Sequence, residues 1–323
     1  MDIERALKED YSTDPNKRDL QLEARAHVEV QGWIDDGGLT GRAATWEGIC
    51  EIHDRFCRLL PGELLKVEDP ATEETLTLDP GALRKRDVIV GRHVAVSPGA
   101  LPRFLKRFEE VYGSRGRFEQ VLSAGAAHHR LLWIHPFLDG NGRVARLMSH
   151  AMLLEALDSG GVWSISRGLA RPESEYMRHL AECDLERRND YDGRGTRNEE
   201  ALARLSKFFL NTCLDQISFM ESLVQPAKLR ARILTWTEEE TRTGALPAKA
   251  GQVLEAVLYR GELPRGEVPG LLDLSERQAR RVISALLERE ALSSNSTRAP
   301  LRLNFPAHLA SRWMPGLFPD QSG

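Results

Sequence analysis

The chain has 323 residues, of which 41% are hydrophobic and 28% are charged, and its formal net charge is −4. This is the composition of a folded globular protein, and the length is enough for two or three domains. The weak negative charge argues against a protein that coats nucleic acid non-specifically, although it is compatible with a local basic face.

The cysteines and apolar segments indicate the compartment. The chain has four cysteines, and none lies in a C-x-x-C pair, which indicates reduced thiols rather than a disulfide framework or a zinc site. The N-terminal sequence MDIERALKED is charged, and no segment reaches the roughly 18 consecutive apolar residues that span a bilayer. We therefore expect a cytoplasmic protein with no membrane partner.

Apolar residues recur at helical spacing through most of the chain. The pattern predicts helices over the segments 20–35, 45–60, 101–113, 118–134, 144–159, 174–190 and 199–224. One segment differs: residues 87–96 contain DVIVG and HVAVS around Gly91, which predicts a β-hairpin. A polar helical connector over 226–243 and a linker, GALPAKAG at 244–251, follow the last of these helices.

The C-terminal segment has the pattern of a winged helix-turn-helix. Three helical stretches, the third with Ser275 as its N-cap, precede two short strands around a polar tip. The N-terminal residues of the recognition helix read the major groove in such motifs. The candidate DNA contacts are Arg277, Gln278, Arg280 and Arg281. Residues 260–312 hold nine arginines against six acidic residues, an excess too small to decide between DNA binding and a protein-docking or packing module.

Between two apolar helices lies the stretch HPFLDGNGRVAR, residues 135–146. His135 titrates near neutrality and can accept a proton from a hydroxyl group. Phe137 is expected to pack inward and anchor the loop. Asp139 offers a hard oxygen ligand that suits Mg²⁺ carrying phosphates.

The second half of this stretch has the features of an anion site. Gly140, Asn141 and Gly142 let the backbone approach a ligand and lead into a helix N-terminus, whose N–H groups favour anions. Arg143 and Arg146 are three residues apart, hence on one helix face, and guanidinium groups suit phosphate oxygens. Together these residues predict a site for a phosphate-rich ligand.

This stretch resembles the signature of the Fic family, H-P-F-x-[D/E]-G-N-G-R-x-x-R, at every defined position. The likeness covers about 20–225, where the hairpin resembles the family's target-binding flap. It implies a mainly α fold: a Fic helical core with a small β-hairpin flap, plus the winged helix-turn-helix that is common in bacterial members. The implied domains are N-terminal helices and flap (1–98), catalytic core (99–225), connector (226–250) and winged helix (251–323).

The resemblance implies a protein adenylyltransferase, which transfers AMP from ATP to a Ser, Thr or Tyr hydroxyl of a protein target, or of itself, and releases pyrophosphate. His135 is then the general base and Asp139 holds Mg²⁺. The anion hole is formed by Gly140, Asn141 and Gly142, and the β- and γ-phosphates are held by Arg143 and Arg146. The family's kinase-like toxin branch has Ala-Asn-Lys at 140–142, so this chain is expected to bind ATP in the adenylylating orientation.

Regulation and partners are less determined by the sequence. The family's inhibitory glutamate, which pairs with the second arginine, is best matched by Glu29 with Arg146 as partner, although Arg25 and Val30 depart from the motif. The segment YDGRG at 191–195 is expected to border the adenine pocket, and the helical core to form a homodimer. The alternatives are a nucleotide-sensing transcriptional regulator that uses the winged helix, or a Fic enzyme that removes AMP or transfers another phosphate-containing group.

Overall fold

The computed structural model describes residues 3–7, 9–68, 73–91, 93–113, 115–158, 161, 163–186 and 198–317. Within these ranges the chain is mainly helical, with three small antiparallel sheets, which confirms the predicted fold class. None of the helices in the described ranges combines the length and the apolar character needed to cross a membrane.

The chain divides into two compact units. One unit comprises Ser12–Ser218, and the other comprises Met1–Tyr11 together with Phe219–Gly323. The division falls within a helix and not at the predicted linker 244–251. The predicted connector contributes Leu229, Trp236 and Leu246 to the hydrophobic core of the second unit. The four-part division inferred from the sequence otherwise stays a prediction.

The helices of the first unit follow the hydrophobic periodicity, with ends defined by capping residues. They are α2 (Pro15–Asp35), α3 (Trp46–Arg58), α4 (Leu101–Tyr112), α5 (Arg117–Ile134), α6 (Asn141–Leu157), α7 (Ile165–Ala170), α8 (Glu173–Cys183) and α9 (Glu199–Val224), of which α9 continues into the second unit. Asp14 caps α2 by accepting a hydrogen bond from the Asn16 N–H, and Thr45 caps α3 in the same way from Gly48.

The core of the first unit lies around the pair α5 and α6. Their buried faces carry small and aliphatic side chains, such as Ala127 and Leu131 on α5 and Val144 and Met148 on α6. These helices pack against α2, α3 and α4. The two helices that flank residues 135–140 are therefore held rigidly, which fixes the ends of the loop between them.

Two hairpins extend from this helical core. Strands β1 (Lys66–Glu68) and β2 (Thr75–Thr77) form one, which the sequence analysis missed because each strand has only three residues. Strands β3 (Ile89–Val90) and β4 (His93–Val94) form the other, where the hairpin over 87–96 was predicted. His93 donates a hydrogen bond from Nε2 to the Trp133 carbonyl oxygen at 2.7 Å, which ties the second hairpin to the end of α5.

The second unit contains small helices around a three-stranded sheet. Its helices are α1 (Ile3–Leu7), α10 (Pro226–Arg242), α11 (Ala250–Arg260), α12 (Val268–Leu272), α13 (Glu276–Glu288) and α14 (Ala307–Trp313). Its strands, in the spatial order β5-β7-β6, are β5 (Glu262–Leu263), β7 (Leu301–Leu303) and β6 (Leu292–Ser293). Ser275 caps α13 as predicted. This order of elements supports the winged-helix interpretation, which stays a prediction.

Candidate active site

His135 ends α5 in the left-handed conformation, with φ at 53°. Its Nδ1 lies 3.3 Å from the Leu132 carbonyl oxygen. Because a carbonyl oxygen only accepts, Nδ1 must carry the proton, and the lone pair of Nε2 has no partner among the described residues. Burial lowers the pKa of His135 to about 4. The imidazole is therefore neutral at pH 7, and its Nε2 is ready to take a proton.

Arg84 holds the backbone of the catalytic loop from the side of the β3–β4 hairpin. Its side chain is 3% exposed, and it donates to the carbonyl oxygens of His135 (2.7 Å), Arg86 (2.6 Å) and Val96. Its own N–H donates to the Pro136 carbonyl oxygen at 3.0 Å. Sequence reasoning did not assign this role, because nothing in the run RKR shows which arginine is buried.

Asn141 closes the loop on itself. Its Oδ1 accepts the Phe137 N–H at 3.0 Å, and its Nδ2 donates to the Phe137 carbonyl oxygen at 2.9 Å. Asn141 is 2% exposed, and Phe137 is fully buried as predicted. The amide side chain of Asn141 is thus used within the protein, and only its backbone N–H remains for a ligand.

His53 supports the same loop from below, and the sequence analysis missed it. Its ring stacks on Phe137 with centroids 3.9 Å apart, and its Nδ1 accepts the Gly81 N–H at 2.9 Å. The other ring nitrogen donates to the backbone of Asp139. Burial lowers the pKa of His53 to about 4, so a neutral imidazole joins two loops. Its place on the buried face of α3 was the available signal.

The N-terminus of α6 has the features of an anion site. No side chain caps it, because its N-cap residue is Gly140, whose φ of 81° favours glycine. The first two N–H groups, of Asn141 and Gly142, have no acceptor among the described residues, whereas the N–H groups of Arg143 and Val144 bond to the Gly140 carbonyl oxygen at 3.0 Å. Two aligned N–H donors and the positive end of the helix dipole therefore point out of the helix.

Both predicted arginines lie beside this N-terminus. Arg143 pairs with Glu23 of α2 and lies 3.6 Å from the Asp139 carboxylate. Arg146 is hydrogen-bonded to Tyr176 of α8, and burial lowers the pKa of its guanidinium. A Cβ added at Gly142 would lie 3.4 Å from Arg146 Nη1, an ordinary contact distance, so this guanidinium lies over the first turn of α6.

The structure does not bring Glu29 to Arg146. Glu29 lies on the exposed face of α2, and no ion pair among the described residues joins it to either arginine of the motif. Glu23, which has a side chain 21% exposed, is the carboxylate of α2 that pairs with Arg143. Six residues correspond to about 600° of helical rotation, so the two glutamates lie on different faces of α2. The motif-based choice depended on residue type, and helix packing selected another residue.

Asp139 fits a magnesium-nucleotide complex rather than a preformed metal site. Its side chain is 54% exposed and lies at the mouth of the loop. No group of three or more His, Cys, Asp or Glu in the described part of the chain is arranged to hold a metal ion. Mg²⁺ commonly uses one or two carboxylates together with phosphate oxygens and water, so a single exposed carboxylate beside an anion site suits it.

The remaining candidates lie elsewhere. The segment 191–195 lies outside the described residues. On α13, Arg277 and Arg281 are exposed and have no carboxylate partner among the described residues, whereas Arg280 pairs with Glu276 at 3.1 Å. The Gln278 side chain accepts from Ser275 in the capping box, so one end of its amide is already used.

The first unit thus brings together a neutral imidazole, two free backbone donors, two guanidinium groups and one exposed carboxylate. The imidazole can remove a proton from a hydroxyl group. The donors and guanidinium groups can bind phosphate oxygens and stabilise negative charge that develops on them. This combination suits attack of a hydroxyl group on a phosphoryl centre.

Part of the chain is similar to proteins of a known family. Residues 43–153 match the family model described as the Fic/DOC family. The chain is similar to proteins called "Protein adenylyltransferase Fic" from Drosophila willistoni and Drosophila yakuba, each 40% identical over 81 residues. Each match covers 24% of this chain and only 16% of the curated relative's length.

Two solved structures are also similar. The crystal structure of a Fic family protein from Desulfovibrio desulfuricans G20 has 17% identity and a TM-score of 0.48, and the match covers 94% of this chain and 80% of that chain. A Fic domain containing signaling protein from Bacteroides thetaiotaomicron VPI-5482 has 20% identity and a TM-score of 0.41, with 64% and 71% covered.

Proposed function

We propose that this chain, whose residues 43–153 match the Fic/DOC family model, is a protein adenylyltransferase that transfers AMP from ATP to a serine, threonine or tyrosine hydroxyl of a protein target. The observation that carries the proposal is the neutral His135, whose unpartnered Nε2 belongs to the same loop as the uncapped N-terminus of α6. A phosphate site without such a base would bind a nucleotide but would not activate a hydroxyl group.

In the proposed reaction, the target hydroxyl oxygen attacks the α-phosphorus of ATP. Its proton passes to His135 Nε2, the new P–O bond forms, and the bond to pyrophosphate breaks. The N–H groups of Asn141 and Gly142 bind phosphate oxygens, while Arg143 and Arg146 hold the outer phosphates. Asp139 would hold Mg²⁺, which would supply positive charge against the phosphates.

The protein target is proposed to dock along the β3–β4 hairpin. Its strands expose Ile89 (70%) and Val94 (65%) to solvent. His93 and Arg84 anchor the hairpin to the end of α5 and to the His135 carbonyl, so a segment lying along it would be held beside the base. An extended segment can pair with such a strand through main-chain hydrogen bonds.

The alternative functions would use some of the same chemical groups. A nucleotide-sensing regulator needs the N–H groups and the arginines but no base, so the free Nε2 of His135 favours an enzyme. Removal of AMP, or transfer of another phosphate-containing group, would use the same anion site. These activities differ from adenylyl transfer in the label that reaches the protein.

The test is incubation of the pure protein with Mg²⁺ and ATP labelled either at the α- or at the γ-phosphate, in the presence of a cell extract as a source of targets. Adenylyl transfer predicts label from α-labelled ATP only, with wild-type protein and not with His135→Ala. Calorimetry with both proteins shows whether ATP still binds.

Label from γ-labelled ATP would instead indicate phosphoryl transfer. No label with either nucleotide, together with intact ATP binding, would contradict the proposal and favour the sensor. Loss of ATP binding in His135→Ala would contradict a role for His135 as base alone.

A further inference from the structure

A chain of buried polar side chains extends from Arg146 into the core of the first unit. Tyr176 Oη lies 2.6 Å from His128 Nε2, and His128 Nδ1 lies 2.9 Å from Ser149 Oγ. Ser149 donates in turn to the Ala145 carbonyl oxygen at 2.8 Å. His128 and Ser149 are fully buried, and Tyr176 is 6% exposed.

The proton positions along this chain have one consistent solution. A guanidinium group only donates, so Tyr176 accepts from Arg146 and its own O–H is directed to His128 Nε2. His128 Nδ1 must then carry the proton, which lies within reach of Ser149 Oγ at 2.9 Å and of the Ala145 carbonyl oxygen at 3.2 Å. The Ser149 hydroxyl donates to the same carbonyl, so the series ends at the main chain.

The protonation states of His128 and Tyr176 agree with this direction of the hydrogen bonds. Burial first, and then the positive charge of Arg146, lower the pKa of His128 to about 3. Burial raises the pKa of Tyr176 to about 12. Both groups are therefore neutral at pH 7, as the hydrogen-bond direction requires. Within this hydrogen-bonded series only Arg146 is charged, and it lies at the end nearest the N-terminus of α6.

We propose that Tyr176 and His128 are positioning residues that hold the Arg146 guanidinium over the first turn of α6, ready for the outer phosphates of a nucleotide. An arginine side chain has several rotatable bonds, and fixing them on ligand binding costs affinity. Here the bond to Tyr176 fixes the guanidinium in advance, and its Nη1 lies over Gly142 at the start of α6. This inference rests on the proposed nucleotide site but not on the transfer of AMP.

A comparison of ATP binding with AMP binding distinguishes a positioning role of Tyr176 from a general effect on packing. Arg146 is assigned to the outer phosphates, which ATP has and AMP lacks. Tyr176→Phe removes one oxygen and keeps the ring, so it should weaken ATP binding roughly tenfold or more, the loss expected for one hydrogen bond to a charged group. AMP binding should change less than twofold, because AMP does not reach Arg146.

The experiment is calorimetric titration of the full chain with Mg-ATP and with AMP. The variants are Tyr176→Phe, Arg146→Ala and the double variant, with Tyr112→Phe as a matched control, since Tyr112 is a partly buried tyrosine of α4 whose ring contacts Phe108. In the Arg146→Ala background, Tyr176→Phe should have no further effect on ATP affinity. Ser149→Ala, two bonds further along, should weaken ATP binding in the same direction but less.

Three outcomes would overturn the inference: equal losses for ATP and AMP, an additional loss in the double variant, or unchanged ATP affinity in Tyr176→Phe. A wild-type protein that binds neither nucleotide would overturn the inference and the proposed function together. A wild-type protein that binds ATP, with the expected pattern among the variants, but transfers no AMP would overturn the proposed function alone.

Discussion

Replacing Glu23 by glutamine tests whether this carboxylate competes with the nucleotide for Arg143. The side chains of Glu23 and Arg143 are 21% and 23% exposed, so their pair is partly desolvated but still screened by solvent. Such a pair contributes about 1 kcal/mol, which ATP must offset to take Arg143 for itself. Removing the charge while keeping the shape should therefore raise ATP affinity about fivefold.

The assay is calorimetric titration with Mg-ATP, together with the rate of label transfer from α-labelled ATP. Glu29→Gln is the matched control, because it removes the same charge from the exposed face of the same helix and should change neither quantity. Weaker ATP binding in Glu23→Gln would show that Glu23 orients Arg143 for the nucleotide instead of competing with it. An effect of Glu29→Gln equal to that of Glu23→Gln would reduce both to a general change of charge.

Three further predictions concern the base, the loop and α13. Because the pKa of His135 is lowered to about 4, its neutral form persists well below pH 6.5. In a pH profile of the initial rate, the rate of AMP transfer should therefore stay constant from pH 7 to about 5 and fall as the pH drops through about 4. A decline centred near pH 6.5 would refute this. Asn141→Ala leaves the buried N–H and carbonyl groups of Phe137 without partners, so the free energy of unfolding measured in urea should fall by about 2–4 kcal/mol. A decrease below about 0.5 kcal/mol would contradict the role of Asn141 in closing the loop. If α13 contacts DNA, Arg277→Ala and Arg281→Ala should each reduce the salt slope of binding to a random-sequence duplex by about 1. Arg302→Ala should leave the slope unchanged, because Arg302 is paired with Glu262. Absence of binding by the wild type at low salt would favour a docking module.

The local sequence was sufficient to predict the helices around the site. Apolar periodicity and caps such as Thr45 and Ser275 act within a few residues of the chain, so they can be read without tertiary information. The short strands β1, β2 and β5 were missed, because two or three residues carry too little periodicity and their pairing depends on a distant partner.

The stretch 135–146 determined the candidate chemistry by itself, since its residues are adjacent in the chain and their types suffice to suggest a base, a metal ligand and a phosphate site. What supports those residues was decided by tertiary structure. His53, Arg84 and Tyr176 lie 82, 51 and 41 positions from His135 along the chain, and none of these separations leaves a periodic signal in the sequence.

The choice between Glu23 and Glu29 shows the same limit. Both are glutamates on α2, and Glu29 was the best match to an inhibitory motif although Arg25 and Val30 depart from it. Only the packing of α2 against α6 decides which carboxylate faces Arg143, because a helix presents each side chain at an angle that is fixed by its position. Residue types therefore determined what the site can do. The packing of helices that are distant in sequence decided which side chains hold the site in place, because burial and hydrogen-bond partners are properties of the folded chain.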